Sequence, residues 1–169
     1  MEDHGLSGFK NRVLQILARF LPGEQTLRVW LHRARGVHIG NNVKIGYDVV
    51  LETAYPELIT IREGATVAMR ATVIAHFKEA KNVVIGKDAF VGPCTVILPN
   101  VEIGDGAVVT AGSVVTASVP PAIMVRGNPA VPIARCGVPL RDDVSYLEFS
   151  GRLRPIPPTR NSLPDPQRL

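Results

Sequence analysis

An aliphatic residue returns at every sixth position through the middle of this 169-residue chain. The series is broken by four extra residues after its third member, and one slot, at Glu79, is degenerate; its twelve members are Ile39, Ile45, Leu51, Ile61, Val67, Val73, Ile85, Val91, Ile97, Ile103, Val109 and Val115. A period of six fits neither an amphipathic helix nor a simple alternating strand. It predicts a chain that wraps in short flat segments and stacks coil upon coil.

The fourth position of each unit predicts a tight corner. It is rich in residues that tolerate positive φ: Asn42, Asp48, Gly64, Asn82, Asp88, Asn100, Gly106 and Gly112. Three units would close a triangular coil of about 18 residues, and successive coils would rise by about 4.8 Å. Counting the degenerate unit 79–84, thirteen units predict somewhat over four coils.

Composition narrows the class of protein. Aromatic residues make up only 5% of the chain, so the core must be lined by small aliphatic side chains. The net charge of +4 is modest and no nucleic-acid recognition motif accompanies it, so no nucleic-acid partner is expected. Two cysteines, Cys94 and Cys136, make no disulfide framework; we interpret them as reduced thiols and expect a cytoplasmic protein. No window approaches the roughly 18 apolar residues that a stable membrane insertion needs.

The two ends depart from the repeat. Residues 9–20 and about 24–34 predict two helices, so residues 1–36 are interpreted as a helical segment capping the open end of a coil domain at 37–134. Basic residues on these helices leave a peripheral membrane contact open as an alternative. Residues 135–153 predict a C-terminal cap with a short helix near 144–149, which Asp142 or Asp143 would begin. The proline-rich residues 154–169 predict a disordered tail.

Three short motifs make the repeat more specific: ILPNV at 97–101, AGSVV at 111–115 and GNPA at 127–130. With them the chain resembles the hexapeptide-repeat acyltransferases, in the branch of the maltose, galactoside and xenobiotic O-acetyltransferases. The resemblance implies an all-β fold, a left-handed parallel β-helix, whose handedness comes from the resemblance alone. It also implies acetyl-CoA as acyl donor, no metal, and a homotrimer with each active site in a cleft between neighbours.

The resemblance makes His76 the catalytic base, because the family places its base just before the Ile-Gly run that begins here at Ile85. Counting 18 residues per coil predicts that His76, Cys94 and Gly112 stack along one edge, about 10 Å from the first to the last. In the family the backbone at the Ala-Gly-Ser element holds the pantetheine arm of CoA. The predicted CoA-binding residues are Cys94, Ala111, Gly112, Ser118, Arg126, Asn128 and Pro129.

One departure from the family concerns the basic contact to CoA. The family's usual Lys-Asp pair is replaced here by Ala117-Ser118, so that contact must come from Arg126 or Arg135, or be absent.

The four-residue break predicts an acceptor site. Allowing for it, the unit 51–56 stacks on the His76 unit, and the extra residues bulge beside the same edge. Glu52, Tyr55 and Glu57 are the candidates for contacting the acceptor. A bulge that merely seals the coil is the alternative.

The prediction is an acetyl-CoA-dependent O-acetyltransferase acting by direct transfer on a small-molecule hydroxyl acceptor: a sugar, a glycoside or a natural product. His76 would remove the hydroxyl proton, and a backbone N–H would stabilise the oxyanion. N-acetylation of an amino sugar, a non-catalytic scaffold, and a covalent acyl-enzyme on Cys94 remain open. A carbonic anhydrase is excluded, because it needs three histidines around a metal and the repeat region holds only His76.

Overall fold

A computed structural model describes residues 5–77 and 79–157. Its helices are α1 (Gly5–Phe20), α2 (Leu27–Ala34), α3 (Tyr146–Gly151) and a short 3-10 helix (Pro56–Leu58). Most strands are two or three residues long, and in chain order they are β1 (His38–Ile39), β2 (Lys44–Ile45), β3 (Val50–Leu51), β4 (Ile59–Ile61), β5 (Thr66–Val67), β6 (Thr72–Val73), β7 (His76–Phe77), β8 (Glu79–Ala80), β9 (Val83–Ile85), β10 (Phe90–Val91), β11 (Val96–Ile97), β12 (Glu102–Ile103), β13 (Val108–Val109), β14 (Val114–Val115), β15 (Ile123–Gly127), β16 (Ala130–Cys136) and β17 (Leu153–Pro155).

The strands form a three-sided parallel β-helix. Face one is β1-β4-β9-β12, face two is β2-β5-β10-β13-β15, and face three is β3-β6-β11-β14, each paired in parallel. Eleven of the twelve members of the aliphatic series are at most 1% exposed, because each points into the shared interior. Ile39, in the first coil, is partly buried. The predicted fold class is confirmed.

Two of the three corners turn through a residue with positive φ in every coil. We call them the Gly106 corner, between faces one and two, and the Gly112 corner, between faces two and three. Their positive-φ residues are six of the eight predicted positions together with Arg70, Cys94 and Ala122; in full they are Asn42, Gly64, Asp88, Gly106 and Ala122 at the first corner, and Asp48, Arg70, Cys94 and Gly112 at the second. Of the other two predicted positions, Asn100 has a φ of 65° at the third corner, and Asn82 does not have positive φ. The coil imposes this conformation even on side chains that disfavour it.

The third corner, from face three to face one, carries both interruptions of the repeat; we call it the His76 corner. After β3 the extra residues hold the 3-10 helix, and Leu51 pairs with Val73, which confirms that the unit 51–56 stacks on the His76 unit. After β6 the chain leaves the coil, and β7 and β8 pair antiparallel as a hairpin.

That hairpin corrects the predicted register. The unit 79–84 adds six residues outside the coil, so Val73 pairs with Ile97, 24 residues later instead of 18. The prediction that His76 stacks on Cys94 and Gly112 is therefore wrong. Cys94 and Gly112 do share a corner, since Val96 pairs with Val114 one coil further on.

The N-terminal helices lie on the first coil, with the polar side of α1 turned inward. Asn11, Gln15 and Ala18 are buried, whereas most of the large apolar side chains of the helix are exposed. The first coil has no coil above it, so its carbonyl groups need other donors. Gln15 Nε2 donates to Val49 O at 3.0 Å, and Arg28 Nη1 donates to Ile45 O at 2.9 Å.

The last strands close the other end of the coil. β16 pairs antiparallel with β15 and with β17, which includes Arg154 and Pro155. Helix α3 begins after Ser145, whose Oγ accepts from Glu148 N, so Ser145 takes the capping position expected of Asp142 or Asp143. The disordered tail predicted for 154–169 does not begin at residue 154, because Arg154 and Pro155 pair with β16; residues 158–169 fall outside the described residues. No helix in the described ranges is long and apolar enough to cross a membrane.

Candidate functional site

His76 lies against a buried carboxylate. Its Nδ1 is 2.6 Å from Glu52 Oε2. The imidazole is 43% exposed, whereas the side chain of Glu52 is 3% exposed, so one edge of the ring is held and the rest stays open. When neutral His76 donates its Nδ1 proton to Glu52, the Nε2 atom carries a free lone pair.

Backbone amides hold Glu52 in place. Ala54 N donates to its Oε1 at 2.8 Å, and Ala75 N donates to its Oε2 at 3.0 Å. Burial alone would raise the pKa of Glu52, but the hydrogen bonds from His76, Ala54 and Ala75 outweigh it and lower that pKa below its ordinary value. Glu52 is therefore an anion aimed at His76.

A buried arginine supports the backbone of Glu52. Arg35 Nη2 donates to the carbonyl oxygens of Leu51 and Glu52, at 3.2 and 2.5 Å. Its Nη1 lies 3.1 Å from His32 Nδ1 and also donates to Gln15. Burial lowers the pKa of Arg35 to about 10, and the negative charge of Glu52 acts in the opposite direction. The cap is thereby connected to the His76 corner.

Of the other predicted acceptor contacts, Tyr55 lies beside this pair. The ring of Tyr55 meets that of His76 edge to face, with centroids 5.7 Å apart. Glu57 is exposed on the 3-10 helix. Glu52 differs from the prediction, because its oxygens are taken by His76 and two amides; we reassign it from acceptor contact to partner of the histidine.

Most of the predicted CoA-binding residues lie together at the Gly112 corner. Ala111 and Gly112 are exposed in the fourth coil, with exposed Cys94 one coil away. Gly112 has a φ of 68°, and a Cβ placed on it would meet nothing within 4 Å. The corner therefore presents open backbone, which a ligand can approach closely.

The GNPA turn adjoins this corner. Gly127 N donates to the buried Ser113 Oγ at 3.2 Å, and Thr110 N donates to Val125 O at 3.0 Å. Arg126, Asn128 and Pro129 are exposed beside it, and the Asn128–Pro129 peptide is cis.

Ser118 is separate from this group. It lies on the His76 corner, where its Oγ accepts from Glu102 N at 3.0 Å.

Two groups of candidates thus lie on two different corners of one subunit. His76, Glu52 and Tyr55 form the first; Cys94, Ala111, Gly112 and the GNPA turn form the second. In the described part of the chain no group of three or more His, Cys, Asp and Glu side chains could hold a metal ion. Sequence reasoning missed the Glu52–His76 pair, although Glu52 directly follows Leu51 and the stacked units were predicted. No sequence signal identified Arg35.

Comparison with known proteins agrees with this architecture. The family model described as bacterial transferase hexapeptide (six repeats) matches residues 82–117. The Bacillus subtilis (strain 168) protein named "Putative acetyltransferase YvoF" is 33% identical over 127 residues, which cover 71% of this chain and 73% of that protein.

Solved structures share the fold. A galactoside acetyltransferase in complex with coenzyme A has a TM-score of 0.60 and 21% identity, covering 86% of this chain and 88% of that one. AntD, an N-acyltransferase from Bacillus cereus in complex with dTDP and 3-hydroxybutyryl-CoA, has a TM-score of 0.53 and 26% identity, covering 57% and 61%. The matching repeat, the 33% identity to a relative over most of both chains, and the shared fold support one conclusion. The chain belongs to the hexapeptide-repeat acetyltransferase family.

Proposed function

We propose that the protein transfers an acetyl group from acetyl-CoA to a hydroxyl group of a sugar, a glycoside or a natural product. The observation that carries the proposal is the 2.6 Å contact between His76 Nδ1 and the buried Glu52. A histidine held by a carboxylate through one nitrogen, with the other nitrogen free, is the arrangement that general base catalysis requires.

The chemistry proceeds by direct transfer. Nε2 of His76 takes the proton of the acceptor hydroxyl, and Glu52 stabilises the imidazolium that forms. The acceptor oxygen forms a bond to the thioester carbonyl carbon, the bond from that carbon to sulfur breaks, and His76 returns its proton to the departing sulfur. A backbone N–H stabilises the oxyanion between these steps.

The Gly112 corner is the proposed CoA surface. Ala111 and Gly112 leave their backbone open, and the GNPA turn with Asn128 and Pro129 continues the exposed strip. Arg126 supplies the positive charge in place of the family's usual lysine, and Cys94 contacts the arm without forming a covalent intermediate. The residues present fit an extended thioester ligand, since no side chain fills the space in front of Gly112.

A homotrimer would bring the two corners together. One face of the coil, about five residues or roughly 15 Å, separates the His76 corner from the Gly112 corner in one subunit. A neighbouring subunit can place its Gly112 corner against the His76 corner, giving three clefts per trimer. The resemblance to the family supports the same assembly.

The acceptor would enter at the His76 corner, where Tyr55 and Glu57 are proposed to contact it. N-acylation of an amino sugar is the second candidate, favoured by the similarity to the N-acyltransferase AntD. We also propose a cytoplasmic location, which the exposed free thiol of Cys94 supports.

The test is acetyl-CoA turnover against a panel of hydroxyl and amine acceptors, with wild type and His76→Ala in parallel. We expect wild type to release CoA with a hydroxyl acceptor and the variant to be slower by about 10²–10⁴-fold. Equal rates with every acceptor would exclude His76 as the base. Transfer to amines alone would favour the second candidate, and a wild type that binds no CoA would favour a scaffold.

A further inference from the structure

Helix α1 carries an apolar stripe that faces away from the protein. Its members share one side of the helix, and each is 38–69% exposed: Phe9, Val13, Ile16, Leu17 and Phe20. At 100° per residue they lie opposite the buried residues Asn11, Gln15 and Ala18. Exposure of five large apolar side chains on one helix face is costly in water, so this stripe needs a covering.

Basic side chains border the stripe on both sides. By the same helical geometry Lys10 lies along one margin, and Arg12 and Arg19 lie along the other. Neither α1 nor α2 contains an acidic residue. An apolar stripe between two basic margins is complementary to a surface in which hydrocarbon lies beneath a layer of negative charge.

The cap and the first coil also expose aromatic side chains. Phe20 meets Tyr47 edge to face, with ring centroids 6.0 Å apart, and Tyr47 is itself exposed. Trp30 of α2 is 60% exposed, one turn after exposed Leu27. Tyrosine and tryptophan favour the interface between lipid headgroups and hydrocarbon, because their rings are both apolar and polar.

A two-fold dimer is a poor covering for this face. A two-fold contact would set each copy's stripe against the same stripe, and would bring the Lys10, Arg12 and Arg19 margins of both copies together. Of these residues Arg19 is paired with Asp48 of the first coil, at 2.7 Å, and the helices themselves supply no acidic residue to offset the repulsion.

We propose that α1 docks on an anionic lipid bilayer. The helix lies in the plane of the interface, Phe9, Val13, Ile16 and Phe20 enter the boundary between headgroups and acyl chains, and the basic margins contact lipid phosphates. No helix among the described residues is long and apolar enough to cross the membrane. Because α1 covers the open end of the coil, the protein would stand on the surface by that end.

The experiment is co-sedimentation of the full chain with vesicles of phosphatidylcholine alone or with about a third of phosphatidylglycerol. We expect binding to the anionic vesicles only. Raising the salt from about 0.1 M to about 0.5 M should weaken it several-fold, because the charge contacts are screened. Ile16→Glu should weaken binding by about tenfold or more, and Lys10→Gln by about fivefold, the usual loss per basic residue.

Leu147→Glu is the matched control, since Leu147 is 83% exposed on α3 and lies off the stripe; it should bind like wild type. Circular dichroism checks folding, and Val13→Ser replaces Ile16→Glu if that variant is unfolded. Binding to neither vesicle, or equal binding by all variants, would overturn the proposal. So would a self-association that Ile16→Glu abolishes, because a second copy would then cover the stripe.

Discussion

Glu52 determines how His76 is held. Its carboxylate is nearly fully buried, accepts two backbone N–H groups and contacts Nδ1 of the imidazole. In Glu52→Gln the charge that stabilises an imidazolium is lost, while the shape of the side chain is retained. We expect kcat to fall by about 10²-fold or more, with KM for acetyl-CoA unchanged, in steady-state assays.

Glu63→Gln is the control for that experiment. Glu63 is an exposed carboxylate paired with Lys87, away from the His76 corner, so its variant should retain wild-type kinetics. A rise in KM for acetyl-CoA without a fall in kcat would contradict the role given to Glu52.

Substitutions at two glycines of one coil can distinguish the effect of backbone strain from the effect of ligand contact. Gly106 and Gly112 have nearly equal φ, 63° and 68°, but only Gly112 lies on the proposed CoA surface. Changing either to alanine should lower the free energy of unfolding by about 1–2 kcal/mol, because a Cβ disfavours this conformation.

The two variants should differ in kinetics. Gly112→Ala adds a methyl group to open space, so we expect it alone to raise KM for acetyl-CoA, by several-fold in initial-rate assays. Equal KM values for the two variants would remove the Gly112 corner from the CoA surface.

At the scale of elements, the cap joins the coil through buried polar groups. His32 is fully buried, and burial, followed by the charges of Arg35 and Arg28, lowers its pKa to about 3. In the unfolded chain the ordinary pKa is 6.5. As the pH falls below 6.5 the unfolded chain takes up a proton that the folded chain does not, so stability is lost down to about pH 3.

We therefore expect acid sensitivity from His32. Between pH 6 and pH 5 wild type should lose about 1 kcal/mol more of its free energy of unfolding than His32→Gln does. Urea denaturation at the two pH values measures this difference. His38→Gln, at an exposed histidine, should follow wild type, and a His32→Gln variant with the wild-type slope would contradict the assignment.

The elements also show what sequence could and could not predict. The coil followed from the period, because every aliphatic residue of the series needs the same buried side. The hairpin did not, since its insertion adds six residues, the length of one repeat unit, and Val83 to Ile85 resume the aliphatic pattern afterwards. Pairings over 24 residues, such as that of Val73 with Ile97, distinguish an excursion from a coil unit.

Helix α1 illustrates a second limit. Its amphipathic pattern was clear, but a pattern identifies two faces without saying which one is buried. The carbonyl groups of the first coil need hydrogen-bond donors, so the polar face of α1 is the buried one. Gln15 donates such a bond to Val49 O. The contact of Arg35 with Leu51 and Glu52 spans 16 and 17 residues, and no local pattern predicts it.

At the scale of the whole molecule, the proposed site belongs to two subunits. A trimer would have a mass of about 55 kDa, three times the 18.3 kDa chain, measurable by light scattering. His76→Ala and Gly112→Trp should each be inactive alone. Mixed in equal amounts as co-expressed trimers, they should regain about a quarter of the sites, each combining an intact His76 corner with an intact neighbouring Gly112 corner.

The mixed trimers distinguish a site shared between two subunits from a site within one subunit. No recovered activity, with trimers and folding intact, would mean that both groups act within one subunit. A monomeric mass would remove the cleft altogether.

Both interruptions of the coil lie at the same corner. The strands before and after each interruption pair in parallel with the neighbouring coils. The length of the segments at that corner can therefore change without disturbing the three-sided coil. Between Ala54 and Ile59, and beyond His76 in the hairpin, the chain can lengthen or shorten while the aliphatic interior and the Glu52–His76 pair stay the same. A repeat protein of this kind can change the ligand that it recognises while it keeps the same fold.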